Sequence, residues 1–128
     1  MAAYARLVGR LPPTSRLRQV AVSRSFRLAT EALNRRDLDA ALIAYHPDRE
    51  HHPPREFVEA GFAEPCYRGP AGFRKYMSEW SEVWGADLRL EPTELIDLGD
   101  RIVALATLPN RAQASGIPLT TKWAAVLT

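Results

Sequence analysis

"GPAGFRKYMSEWSEVWG", residues 69–85, decides the architecture. Phe73, Met77, Trp80 and Trp84 recur at i, i+4, i+7 and i+11, with Tyr76 and Val83 flanking them, so one apolar stripe runs along a helix. Pro70 suits its first turn, where a missing N–H is no loss, and Gly85 suits its stop. Upstream, Val22, Phe26, Ala29 and Leu33 draw a second stripe, on a helix beginning near Val20. "NRRD" (34–37) closes that helix, and Asp37 is a good N-cap for a short one, "LDAALIAY" (38–45), that turns Leu38, Ala41 and Leu42 inward.

Downstream the period changes from helical to alternating. "ADLRLEP" (86–92) sets Leu88 and Leu90 against Arg89 and Glu91, a strand with one wet face. "TELIDLGDRIVALATLPN" (93–110) reads as two strands joined at Leu98-Gly99-Asp100. "ASGIP" (114–118) is a further turn, and "LTTKWAAVLT" (119–128) a last strand. Helices followed by a run of strands make an α+β domain, its antiparallel sheet curled over the long helix.

Between the helices lies "YHPDREHHPP" (45–54), with three histidines and two carboxylates. Pro47 cannot sit within a ladder, so "DREHH" (48–52) is a short strand ending at Pro53-Pro54. Alternation places His46, Asp48, Glu50 and His52 on one face, with Arg49 and His51 on the other. A metal site is expected to be absent. Residues two apart on a strand stand almost 7 Å apart, whereas zinc ligands sit about 2 Å from one ion, so at most two of the four could share it. Residues 55–70, punctuated by Gly61, Pro65, Gly69 and Pro70, read as an irregular connection. No glycine-rich phosphate loop, metal cluster or lysine-centred motif stands out, so no cofactor is expected.

Composition bounds the rest. The 128 residues suffice for one core, and no apolar run approaches the roughly 20 residues of a membrane span. Cys66 is the sole cysteine, so an internal disulfide is excluded and a reducing, cytoplasmic setting is expected. The net charge of +2 conceals an asymmetry. Six arginines and no acid occupy the first thirty residues, whereas eleven basic and fifteen acidic residues follow. A basic leader on an acidic body argues against nucleic-acid binding by the folded domain. Residues 1–20 are expected to be a disordered leader, a transit peptide or the product of an early start codon, with the domain at 21–128.

"ALNRRDLDAALIAYHPDREHHPP", "YRGPAGFRKYMSEW", "LEPTELIDLGDRIVAL" and "ASGIP" resemble the SnoaL-like branch of the nuclear transport factor 2-like superfamily over about residues 22–128. The resemblance implies a cone-shaped barrel, in which a strongly curved antiparallel sheet wraps the N-terminal helices around an apolar pocket. It also implies homodimers formed through the sheet. The strand that usually follows the one matching "TKWAAVLT", and that carries the base in SnoaL-type cyclases, has no counterpart here, which leaves an open edge, a covered site or a truncated gene product. Ketosteroid isomerase, in the same superfamily, places its base immediately before a proline at the end of the first strand. The matching position is His52, a base suited to neutral pH, with Glu50 to orient it. Trp80, Trp84 and Trp123 would wall the pocket for a small hydrophobic molecule, and Tyr76 would offer a hydroxyl from its rim. Family members range from cyclases and isomerases to non-catalytic binding modules, so both an enzyme and a binding module are carried forward.

Overall fold

A computed structural model of the chain describes residues 7–85, 87, 89–111 and 116–128. Among the described residues the elements from Arg16 onward are, in order, α1 (Arg16–Asn34), α2 (Leu38–Leu42), β1 (Glu50–His51), α3 (Arg55–Glu59), β2 (Tyr67–Arg68), α4 (Gly69–Trp84), β3 (Glu91–Asp97), β4 (Ile102–Arg111) and β5 (Pro118–Leu127). The expected α+β class holds, with α3 and β2 added where an irregular connection was expected. The long helix is bounded as its residues dictate, with Pro70 in the first turn and Gly85 at φ 84° ending it. The Asp37 carboxylate accepts from the Ala40 N–H and so caps α2. Leu88, and Ala114 and Ser115 of the "ASGIP" turn, lie outside the described residues.

Several boundaries differ from expectation: α2 ends at Leu42 rather than residue 45, and β1 is Glu50–His51 rather than 48–52. The connection at 55–70 contains the one-and-a-half turns of α3, begun at Pro54 and braced by an Arg55–Glu59 ion pair of 2.6 Å. The strand expected from residue 86 starts at Glu91. Helix α1 starts at Arg16, four residues before the expected Val20, and so includes Arg18, which is turned inside. Its side chain is 6% exposed. Nε and Nη2 donate to the two Asp97 oxygens at 2.6 and 2.8 Å, Nη2 also donates to Gly99 O, and Nη1 donates to Gly9 O and Leu11 O. One buried guanidinium thus ties residues 9–11, α1 and the β3–β4 turn together, and the described part of the expected leader packs on the domain. The signal was hidden because arginine composition reads as a solvated tail until a buried acceptor set is known.

The strands form two sheets among the described residues and do not close into a barrel. In one, β1 pairs antiparallel with β2, Glu50 opposite Arg68 and His51 opposite Tyr67. Pro47 and Pro53 flank β1 and lack the N–H groups that would extend the ladder, which keeps it two residues long. The other sheet has the order β3-β4-β5, antiparallel throughout, with a bulge between Pro92 and Glu94. Its inner face carries Leu95, Ala104, Ala106, Leu108, Trp123 and Ala125, and β3 packs against α1. The Asn34 side chain strengthens that seam, donating to Leu90 O at 2.9 Å and accepting from Leu90 N–H at 2.8 Å. The aromatic core lies elsewhere: Tyr67, Phe73 and Tyr76 are buried together, with Leu33, Leu38, Leu42, Ala63, Met77 and Trp80 packed around them.

Candidate functional site

On α4, Tyr76, Glu79, Trp80 and Val83 stand at i, i+3, i+4 and i+7 and therefore share one face. That face, with Trp84 and with Phe57, Phe62 and Ala63 from α3 and the turn after it, lines a part-open, mostly apolar hollow of about 240 Å³. Its rings are in contact. Phe57 meets Trp80 edge-on at 5.9 Å between centroids, Tyr76 lies 5.5 Å from Trp80, and Trp84 lies 5.9 Å beyond. Of the expected liners, Tyr76, Trp80 and Trp84 are brought together here. Tyr76, expected at the rim, is 8% exposed and sits between core and hollow. Burial, and secondarily the neighbouring Tyr67, drive its phenol pKa upward.

One carboxylate reaches the hollow. The Glu79 carboxylate accepts from the Tyr67 hydroxyl, which itself accepts from the Glu64 N–H at 2.8 Å. Lys75 Nζ stands 3.8 Å from the other Glu79 oxygen. Tyr67 is 2% exposed, and burial together with its bond to Glu79 raises its pKa. The arrangement is a carboxylate held by a buried phenol at the edge of an apolar recess.

The β1–β2 ladder divides the histidines. His51 turns toward the core, its ring 4.1 Å from that of Tyr76 and near Tyr67 and Phe73. Its Nε2 is buried without a hydrogen-bond partner among the described residues. Burial first, then the charges of Arg49 and His52, push its pKa down to about 4. Arg49 follows it inward and lies over Tyr45 and Phe73 at 3.9 and 4.2 Å. His52 takes the opposite face. Its side chain is 62% exposed, with Nε2 3.1 Å from Glu50 Oε2 and 3.9 Å from Cys66 Sγ. The expected Glu50–His52 contact is therefore present, but the expected orientation toward the pocket is reversed. Alternation was legible, whereas the buried side of a two-residue ladder is chosen by what Tyr67 and α4 offer.

The SnoaL-like domain family matches residues 26–128. The chain belongs to the SnoaL-like family. Among solved structures, this SnoaL-like chain is similar to TerC, co-crystallised with polyporic acid, at 26% identity and a TM-score of 0.72, over 82% of this chain and 78% of that one. A nuclear transport factor 2-like protein of unknown function from Burkholderia pseudomallei is 30% identical with a TM-score of 0.69, over 81% and 77%. A putative polyketide cyclase from Sinorhizobium meliloti, at 16% identity and a TM-score of 0.57 over 81% and 84%, shares the fold. Comparison with curated sequences found no match.

Within this SnoaL-like chain, Trp123 is half-buried on the inner face of β5, opposite Ala106, and does not line the hollow. Sequence reading missed Glu79, Tyr67 and His51. Glu79 had a usable signal, its i+3 spacing from Tyr76 on the face that also carries Trp80. Tyr67 had none, because its partner lies twelve residues away on another element.

Proposed function

We propose that this SnoaL-like chain binds a small, largely hydrophobic carbonyl compound in the hollow on α4. The observation that carries the reading is the hollow itself: aromatic walls around one carboxylate that a buried phenol holds in place. Its volume of about 240 Å³ lies just below the roughly 300–1,000 Å³ of most ligand pockets, which suits a one- or two-ring compound better than a steroid. Apolar rings stack against Trp80 and Trp84, and the carbonyl end lies toward Glu79. The likeness to TerC, co-crystallised with polyporic acid, supports a small-molecule ligand.

In its catalytic form the protein is an isomerase or cyclase that works without a cofactor. Glu79 accepts a proton from the carbon beside the carbonyl, the transfer for which a positioned carboxylate is suited. His52, on the outer face of the ladder, has no part in the hollow. A non-catalytic binding module is the second reading. It is favoured by the partners that both Glu79 oxygens already have, Tyr67 and Lys75. The cone of the family is completed in this proposal by a second copy joined through the three-stranded sheet.

The test is saturable quenching of tryptophan fluorescence by polyporic acid and by a series of cyclic ketones. Binding that Trp80→Leu weakens about tenfold supports the site, since one stacked ring is worth about 1 kcal/mol or more. Unsaturable quenching, equal in the variant, rejects it. Turnover that Glu79→Gln abolishes while binding persists selects the enzyme, and binding without product selects the module.

A further inference from the structure

We propose that Glu50, His52 and Cys66 form a zinc-type metal site on the outer face of the β1–β2 ladder. The register builds it. Glu50 pairs with Arg68 and His51 with Tyr67, and just beyond the ladder His52 lies beside Cys66, Nε2 to Sγ 3.9 Å. Alternation then sends His51 and Tyr67 into the core and leaves Glu50, His52, Cys66 and Arg68 together on the other face. The spacing objection drawn from a single strand is answered by the second strand, which supplies the third ligand.

The three side chains offer a carboxylate oxygen, an imidazole nitrogen and a sulfur that all lie within 4.8 Å of one another. His52 Nε2 is 3.1 Å from Glu50 Oε2 and 3.9 Å from Cys66 Sγ. Tetrahedral zinc, with bonds of about 2.0–2.3 Å, separates its ligand atoms by about 3.3–3.6 Å. Two of the separations thus need to change by only a few tenths of an ångström, and the third is at most 4.8 Å.

The same residues could be read as a thiol, base and acid relay. Geometry argues against that. A relay places nucleophile and orienting acid on opposite ring nitrogens, whereas both partners here converge on Nε2, as ligands around a common centre do. The remaining Glu50 oxygen is ion-paired with Arg68 Nη1 at 2.7 Å, which holds the carboxylate while Oε2 faces His52. Three protein ligands leave a fourth position to water. Phe57, Phe62 and Ala63 lie on the segment between His52 and Cys66, so the ion would clip together the segment that forms one wall of the hollow. The site rests on the ladder alone and does not depend on what the hollow takes.

The experiment is titration of the reduced, chelator-stripped full chain with Co²⁺ and then Zn²⁺. Expected are one Co²⁺ per chain with a thiolate-to-cobalt charge-transfer band, its displacement by Zn²⁺, and a higher Tm with Zn²⁺ present. Cys66→Ser should remove the band, and His52→Ala and Glu50→Gln should each weaken Zn²⁺ binding at least about tenfold. His46→Ala, on an exposed side chain outside the cluster, should change nothing. Absence of the charge-transfer band, affinity unchanged in both His52→Ala and Cys66→Ser, or one ion per two chains through an intermolecular thiolate would each overturn the site. Circular dichroism of every variant reports folding, and if Cys66→Ser failed to fold, His52→Ala would decide alone.

Discussion

Arg18 shows how much one side chain can join. Its guanidinium satisfies both Asp97 oxygens and three carbonyls in a setting where each partner side chain is at most 12% exposed. Removing one member leaves the other charge buried and unpaired, which costs about 3–5 kcal/mol. Arg18→Ala should therefore lower the urea midpoint by that equivalent, whereas Arg16→Ala, on an exposed neighbour, should not. The pH dependence has a definite sign. Hydrogen bonds from Arg18 hold the Asp97 carboxyl below its ordinary value of about 3.9, against the opposing effect of burial. The stabilisation is whole above about pH 4 and is lost as pH falls through the folded-state value. Urea unfolding from pH 6 downward should show Asp97→Asn losing less stability than wild type. An equal loss in both would remove Asp97 from the account.

At the scale of elements, α4 seats on the β1–β2 ladder through Gly72. A Cβ there would stand 2.8 Å from the Tyr67 carbonyl carbon and 3.2 Å from its Cα, and backbone cannot swing aside as a long side chain can. Gly72→Ala gains helix propensity but forces helix and ladder apart, so a net loss of about 1–3 kcal/mol is expected. Thermal unfolding measures it, and a rise in Tm would mean that the seat is loose. The apolar stripe of α4 was legible because period survives without knowledge of partners. The face adjoining it was harder to see, since Glu79 is useful only once Tyr67 reaches across from β2. The β1 strand teaches the same limit: alternation separated His51 from His52, but two residues carry too little apolar signal to say which side is inside.

At the scale of the whole molecule, the three-stranded sheet carries exposed apolar surface. Its outer face carries a row across all three strands, Ile96, Val103 and Val126, with Ile96 38% and Val126 62% exposed. In the dimer proposed above this row is covered by a second copy. Val126→Lys should then shift the protein from dimer to monomer in analytical ultracentrifugation while leaving the helices intact by circular dichroism. A wild-type monomer at high micromolar concentration would remove the sheet-paired dimer and the cone completed by it.

The sequence alone determined the α+β class, the bounds and stripe of the long helix, the Asp37 cap, the β3–β4 turn and the family, because each rests on local period, capping chemistry or a contiguous motif. Tertiary structure alone decided that Arg18 is buried, that His51 and not His52 faces the core, that Glu79 meets Tyr67 beside the hollow, and that Cys66 joins Glu50 and His52. Each of those depends on which side of an element its distant neighbours cover, and that choice is made by packing between segments far apart in the chain.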